Sequence, residues 1–359
     1  MTLHGLNPDG LGWLAGSWPG RMRPRDRQNL RQTEAMWFEA LTGFREDRVD
    51  DVGAQFTVAG ERITSTANGR TMRHGRFEIP TLGELRQRCD SYVAGAGSLR
   101  LSEIVADVRD LHVDPQMAGA FFQVASQFNT LEMVGPSVTP EAGIDRYEGD
   151  RTQGPACAIA CGAGTIYRNY LVPHDGQTGQ SADCQIDCLA DLTSQLGVDV
   201  EMRNGYALPT AAQLGTLDDL LSVAGAAARD ELMTYLRIGV HHDTEVTLNE
   251  AGHTVTQSYC SALPVAYGSH PTQAWEPFAR LVLDAAYEAT LAAATLNAAS
   301  TGNRRVFLTL LGGGAFGNPT SWILDAIRRA VGIFAHADLD VAIVSYSSLE
   351  PQVQALVTP

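Results

Sequence analysis

A run of three glycines, Gly312 to Gly314, most constrains the fold of this chain because it separates an apolar run from an amphipathic segment. The apolar run, residues 305–311, predicts a buried strand. The amphipathic segment begins at Pro319 and predicts a helix, with Asn318 as its N-cap and proline at the first helical position. The sequence therefore predicts a strand, a glycine-rich turn and a helix in direct succession.

This turn has the features of an anion-binding loop. Glycines let the backbone approach a ligand closely, and a helix N-terminus directs unpaired N–H groups and a partial positive charge at a phosphate. A plain tight turn is the alternative, but three adjacent glycines cost conformational entropy that folding alone rarely requires. We therefore expect a nucleotide or nucleotide-sugar diphosphate to bind the segment formed by Gly312, Gly313, Gly314, Ala315, Phe316, Gly317 and Asn318.

The remaining sequence alternates between strand and helix patterns from about residue 98. Strands are predicted over 99–108, 118–124, 236–248, 306–311 and 341–346, and helices over 155–170, 217–236 and 275–299. Such an alternation predicts an α/β protein, a three-layer α/β/α sandwich with a mixed sheet, over residues 98–359.

The first 97 residues follow a different pattern. Asn68-Gly69 and His74-Gly75 are strong turn signals that predict short antiparallel strands. Thr81 and Glu84 form a capping-box pattern at the start of a helix. We therefore expect residues 1–97 to form an N-terminal arm and a small β-rich accessory region.

Composition excludes several classes of partner. A formal net charge of −15 disfavours nucleic acid, although residues 21–31 are rich in arginine and are read as a solvated arm. No apolar run approaches the roughly 20 residues that span a bilayer, and the N-terminus lacks a secretory pattern. The sequence therefore predicts a cytoplasmic protein with no membrane partner, and delivery into a cytosol as an effector remains an open alternative.

The cysteines are read as small packing residues in a reduced protein, because their spacing matches no common zinc motif. We therefore expect neither a metal nor a cofactor. A reactive thiol at Cys157, near a predicted helix N-terminus, or at Cys260 is the weaker alternative. The six are Cys89, Cys157, Cys161, Cys184, Cys188 and Cys260.

Two further segments, 125–132 and 145–157, together with the glycine turn, resemble the macrodomain, an ADP-ribose-binding α/β module, over roughly residues 120–348. The resemblance implies that Asn129 faces a ribose. It also implies that 135–155, with Gln153, forms a first ligand loop, and that 312–318 binds the diphosphate. Within that superfamily, residues 128–129, 152–155 and 260–264 resemble the divergent MavL-type ADP-ribosyl-arginine hydrolases, which implies arginine-linked ADP-ribose as substrate and ubiquitin as a candidate target.

Carboxylates near the expected ribose site supply a possible chemistry. Asp145, Glu148 and Asp150 lie in one loop, and Glu132 lies three residues after Asn129. Acidic loop residues are usually only solvated, but one carboxylate here could activate a water for attack at the anomeric carbon. Asp150 is the first candidate because it precedes residues 152–155 and the predicted helix, which should fix its backbone position most, and Glu132 is the second.

The expected function is therefore hydrolysis of the bond between ADP-ribose and a protein side chain. A non-catalytic module that binds ADP-ribose is the alternative, because macrodomains do both. His241 and His242 lie on a predicted strand and point to opposite faces, so they are not expected to bind one metal together.

Overall fold

The computed structural model describes residues 36–90 and 97–358, and the residues from Trp37 onward form one compact unit. The arginine-rich segment 21–31 lies outside the described residues. The α-helices are α1 Trp37–Thr42, α2 Leu82–Asp90, α3 Val108–Val113, α4 Gln153–Ala160, α5 Gly162–Ile166, α6 Ala190–Leu196, α7 Ala211–Val223, α8 Ala226–Met233, α9 Thr272–Thr301, α10 Thr320–Ile333 and α11 Pro351–Val357. A π-helix spans Tyr167–Leu171, and short 3₁₀ helices span Glu46–Arg48, Gly53–Gln55, Pro115–Met117, Pro140–Ala142, Asp145–Gly149, Leu248–Glu250 and Val265–Tyr267.

The strands form one large sheet and three small ones. They are β1 Phe56–Ala59, β2 Arg62–Ser65, β3 Thr71–Arg73, β4 Arg76–Glu78, β5 Arg100–Val105, β6 Phe121–Ala125, β7 Pro173–His174, β8 Gln177–Thr178, β9 Met202–Arg203, β10 Tyr206–Ala207, β11 Gly239–Glu245, β12 Thr254–Cys260, β13 Arg305–Leu308 and β14 Asp340–Ser345. The large sheet has the order β4-β11-β12-β6-β13-β14-β5. The β4–β11 and β11–β12 pairs are antiparallel, and all pairs from β12 to β5 are parallel.

Helices cover both faces of this sheet because its central strands are apolar on both sides. Phe121 and Val306 pack with the 30-residue helix α9, whereas their neighbours Phe122 and Phe307 pack with α3 and α4 on the opposite face. This alternation follows from the period of two of a strand. The predicted three-layer α/β/α architecture with a mixed sheet is therefore confirmed.

The β-rich region near the N-terminus is also confirmed, as the antiparallel sheet β1-β2-β3. The predicted capping box is present: Thr81 N donates to Glu84 Oε2 (2.8 Å) and Glu84 N donates to Thr81 Oγ1 (3.1 Å). A division of the chain at residue 97 stays a prediction, and strand β4, which precedes that residue, pairs with β11 of the large sheet.

Two predicted helices are interrupted. The segment 217–236 forms α7 and α8, separated at Ala224 and Gly225, where the backbone is extended. The segment 155–170 is divided after Ala160, because Cys161 leaves helical geometry at φ −113° and ψ 57°. In the part of the chain that the structure describes, none of the helices is both long and apolar enough to cross a membrane.

Candidate functional site

The glycine turn follows β13 and leads into α10, as the sequence predicts. Gly312 (φ 76°) and Gly317 (φ 70°) adopt left-handed backbone conformations that favour glycine. A Cβ at Gly312 would lie 2.5 Å from the Cβ of Ala262, and one at Gly317 would lie 2.8 Å from the Cβ of Ala266. The turn is therefore packed closely against the segment that follows β12, and these two glycines are required by the fold.

The tip of the turn is open to solvent. Gly313, Gly314 and Ala315 are exposed, and a Cβ at Gly314 would meet no atom within 4 Å. Among the described residues, none accepts a hydrogen bond from the backbone N–H of Gly314, Ala315 or Phe316. Three successive free amides ahead of a helix N-terminus are donors that an anion could accept from.

Asn318 does not have the predicted capping role, because α10 begins at Thr320 and Pro319 occupies the N-cap position. Its side chain is buried, and Nδ2 donates to the carbonyl oxygens of Leu263 (2.8 Å) and Gly312 (3.3 Å). Asn318 therefore joins the glycine turn to the segment after β12. A direct ligand contact from this residue stays a prediction.

Phe316 belongs to an aromatic cluster with Tyr206 and Tyr267 that the sequence analysis missed. Its ring centroid lies 5.3 Å from that of Tyr206 and 5.7 Å from that of Tyr267. Tyr206 is buried and its hydroxyl donates to the Met133 carbonyl (2.7 Å), whereas Tyr267 is 38% exposed. The cluster places a flat, partly accessible apolar surface beside the free amides of the turn.

Asp150 lies just before α4. It is partly exposed, and its Oδ1 accepts from Thr152 N (2.8 Å). Burial and then the neighbouring Tyr267 raise the pKa of Tyr206, and the charge of Asp150 adds a smaller contribution. A role for Asp150 in the chemistry stays a prediction.

Asp145 and Glu148 make their contacts with the N-terminal part of the described chain. The carbonyl of Asp145 accepts from Trp37 Nε1 (3.2 Å), and Glu148 Oε2 accepts from Trp37 N (3.3 Å). Burial, and then the charge of Glu46, raises the pKa of Asp145 to about 6. These two carboxylates therefore lie beside α1, and Glu148 is the exposed one.

Asn129 is fully buried under the β9–β10 hairpin. Its Nδ2 donates to Gln185 Oε1 (2.8 Å), and its Oδ1 accepts from Leu131 N (3.1 Å). Gly205 of the hairpin fits so closely that a Cβ there would lie 2.6 Å from Asn129 Cγ. A ribose contact by Asn129 stays a prediction, and it requires that the β9–β10 hairpin moves away from the Asn129 side chain.

Gln153 joins the start of α4 to the end of β6. Its Oε1 accepts from Ala125 N (2.9 Å), and its Nε2 donates to the Gln123 carbonyl (2.8 Å). Both ends of the side chain amide are therefore used inside the fold. The ligand contact expected of Gln153 stays a prediction.

Glu132 lies in the interior, in contact with the start of α4. Its nearest cation is Arg168, whose Nη2 is 3.6 Å from Glu132 Oε1, too long for a hydrogen bond. Among the described residues, neither carboxyl oxygen of Glu132 has a hydrogen-bond partner. Burial raises the pKa of Glu132, and the charge of Arg168 and then the nearby Tyr147 hydroxyl oppose that shift only in part. Its place in the chemistry stays a prediction.

The thiol alternative lacks an accessible nucleophile. Cys157 and Cys260 are buried, and burial raises the pKa of both thiols, to about 11 for Cys260. A protonated, enclosed thiol is a poor nucleophile. His241 is also buried, with its pKa lowered by burial, whereas His242 Nε2 lies 2.9 Å from Glu78 Oε1. The two histidines therefore point to different surroundings, as the strand pattern predicts.

Comparisons with known proteins give distant structural likenesses only. No protein-family model matches this sequence, and no curated protein matches it. The chain is similar to poly(ADP-ribose) glycohydrolase from Deinococcus radiodurans in complex with ADP-ribose, with 13% identity and a TM-score of 0.41 over 78% of this chain and 91% of that chain. It is also similar to the enzyme from Thermomonospora curvata bound to the inhibitor ADP-HPD, with 14% identity and a TM-score of 0.40 over 83% of this chain and 92% of that chain. Likenesses this distant assign no role to any residue here, so the functional assignment depends on the site itself.

Proposed function

We propose that this chain binds ADP-ribose through a macrodomain-type site and hydrolyses the bond that joins ADP-ribose to a protein side chain. The observation that carries the proposal is the row of free amides at Gly314, Ala315 and Phe316, in the turn that leads into α10. A diphosphate offers the charge and the acceptor oxygens that this surface lacks. The adjoining rings of Phe316 and Tyr267, packed on the buried Tyr206, offer an apolar surface to a ribose or a base.

In the proposed reaction, Asp150 takes a proton from a water molecule whose oxygen attacks the anomeric carbon of the ribose. The bond from that carbon to the arginine nitrogen breaks, and its electron pair goes to the nitrogen. The departing neutral guanidine takes the proton that Asp150 removed from the water, so it leaves as a guanidinium cation and the Asp150 carboxylate is restored. Positive charge develops on the sugar during this step, so a nearby carboxylate stabilises the transition state. The amides of the turn hold the diphosphate, which fixes the ribose against Asp150.

The remaining carboxylates have secondary roles in this proposal. Glu148 is exposed beside Trp37 and supplies a negative charge to the cationic arginine of the target. Asp145 adds to the same acidic surface. Glu132, enclosed near Arg168, acts on the site only if the interior opens.

The finer assignments rest on sequence resemblance. Arginine-linked ADP-ribose and a ubiquitin-like target follow from the likeness of residues 128–129, 152–155 and 260–264 to the MavL-type hydrolases. The macrodomain is proposed to span residues 98–359, with the preceding region recognising the target protein. We further propose that the protein acts in a cytosol and needs no cofactor.

A reader module is the second candidate function, and one observation favours it. Asp150 Oδ1 accepts a hydrogen bond from Thr152 N, so the carboxylate already has a structural role in the turn before α4. A pure reader would bind ADP-ribose as tightly as an enzyme but release none from a modified protein. Binding and release must therefore be measured separately.

Replacement of Gly314 by valine tests the binding site. The position faces open space and lacks a positive φ, so the variant should fold normally while its side chain occupies the phosphate position. We expect ADP-ribose affinity, measured by calorimetry, to fall at least tenfold, which is about 1.4 kcal/mol.

Gly332→Val is the matched control, because Gly332 is an exposed residue near the far end of α10 and also faces open space. It should bind as the parent does. If neither ADP-ribose nor ADP binds the parent protein at millimolar concentration, the proposal is wrong. Release of ADP-ribose from arginine-modified protein then separates the hydrolase from the reader.

A further inference from the structure

A compact group of three different metal-ligating side chains lies in the hairpin β7–β8 and the segment that follows it. His174 ends β7, Asp175 occupies the turn, and Cys184 lies on the segment after β8. One ligand atom from each residue lies within 4.8 Å of the other two. The proposed ADP-ribose reaction uses none of these residues.

The separations suit a single small cation. His174 Nε2 and Asp175 Oδ2 are 3.6 Å apart. Two ligand atoms on a tetrahedral zinc ion, each bonded at roughly 2.0–2.3 Å, are separated by roughly 3.3–3.8 Å. The Cys184 sulfur lies within 4.8 Å of the other two ligand atoms, so it must move closer to them by roughly 1 Å to reach the tetrahedral separation.

The surrounding hydrogen bonds hold this group in place. His174 Nε2 contacts the Gln185 carbonyl (2.9 Å), and the Cys184 carbonyl accepts from Ser181 N (3.0 Å) and Gln177 Nε2 (3.3 Å). The backbone on both sides of the group is therefore tied together before any ion binds. Metal binding would replace the ring's bond to the Gln185 carbonyl and the weak contact that Cys184 Sγ donates to the His174 carbonyl (3.9 Å).

Cys184 differs from the other five cysteines, which are all buried, because it is partly exposed. Packing explains the five, as the sequence analysis expects, but it does not explain a partly exposed cysteine whose thiol lies beside an imidazole and a carboxylate. A donor set of nitrogen, sulfur and oxygen suits zinc, whereas magnesium and calcium prefer oxygen ligands alone.

We propose that His174, Asp175 and Cys184 bind one zinc ion, with a fourth position open to solvent. The Cys184 thiol loses its proton to solvent when the ion binds, because the thiolate is the ligand. The ion would fasten the segment that carries Gln185, whose side chain accepts from Asn129 Nδ2 (2.8 Å). Zinc binding here is independent of whether ADP-ribose binds at the glycine turn.

The test uses the full chain without a polyhistidine tag. Zinc affinity is measured by competition with a chromophoric chelator, and cobalt is used as a spectroscopic substitute. We expect one ion per chain and a thiolate-to-cobalt charge-transfer absorption in the near ultraviolet. Cys184→Ser should abolish that absorption and weaken zinc binding by at least about 100-fold, the upper range for loss of a supporting residue around a metal.

Two further variants distinguish loss of a zinc ligand from a general effect of substitution. His174→Gln should weaken binding comparably, and His336→Ala, at an exposed histidine of the segment after α10, should leave it unchanged. Far-ultraviolet circular dichroism checks that each variant folds. Absence of stoichiometric binding, a cobalt complex without thiolate absorption, or undiminished zinc affinity in folded Cys184→Ser would each overturn the proposal.

Discussion

The buried carboxyl of Glu132 allows a direct test of its protonation state in the folded protein. Its side chain is 1% exposed, neither carboxyl oxygen has a hydrogen-bond partner among the described residues, and Arg168 stays 3.6 Å away. Burial raises the pKa of Glu132 from its usual 4.5 to about 8, against the charge of Arg168. We expect the folded protein to carry Glu132 protonated at neutral pH.

The direction of the pH dependence follows from this shift. Below pH 4.5 both the folded and the unfolded chains hold the proton, and the stabilising effect is complete. Between pH 4.5 and about 8 the unfolded chain loses the proton while the folded chain keeps it, so the free energy of unfolding falls as pH rises. At about 1.4 kcal/mol per pKa unit, the loss is roughly 3–5 kcal/mol.

Glu132→Gln removes this loss, because an amide resembles the protonated carboxyl and has no proton to release. Urea unfolding between pH 5 and pH 9 should show a shallower decline for the variant, which should be the more stable protein at pH 8–9. Glu231→Gln, at an exposed glutamate of α8, is the control and should follow the parent curve. Comparing variants cancels the contributions of other groups.

One result would refute this reasoning. If Glu132→Gln declines with pH as steeply as the parent and is less stable at every pH, Glu132 is ionised in the folded state. It would then form a true buried ion pair with Arg168, and removing one partner of such a pair is strongly destabilising.

Three further predictions concern the site and the thiols. Asp150→Asn should lower turnover of arginine-modified protein by roughly 10²–10⁴-fold while calorimetric ADP-ribose affinity holds or rises, and near-normal turnover would move the assignment to another carboxylate. Phe316→Ala should weaken ADP-ribose binding by roughly 1–3 kcal/mol because an aromatic contact is lost, and unchanged affinity would place Phe316 away from the ligand. Alkylation of the folded protein, after removal of metal by a chelator, should modify about one thiol rapidly. That thiol should be Cys184, and fast labelling of Cys157 in peptide mapping would contradict the burial described above.

Features that depend on neighbouring residues could be predicted from the amino-acid sequence. The apolar runs predicted the central strands, and the capping pair Thr81 and Glu84 predicted the start of α2, because hydrophobic period and end-capping hydrogen bonds are local. The three glycines predicted a close turn between a strand and a helix for the same reason. Asn318 shows the limit of local rules, since its amide bonds to Leu263, a residue 55 positions away, and does not cap the helix.

Which polar groups face solvent, and which distant residues meet, depends on how the whole chain packs. Phe316, Tyr206 and Tyr267 come from three separate segments, and strand pairing and helix packing alone bring their rings together. The sequence makes Asn129 a candidate ribose contact and Glu132 a candidate catalytic carboxylate, yet packing encloses both side chains. The burial of a residue depends on every element that packs over it, including elements distant in sequence. Burial in turn determines which hydrogen bonds a side chain can form and how its pKa shifts, so neither property can be predicted from a short stretch of sequence.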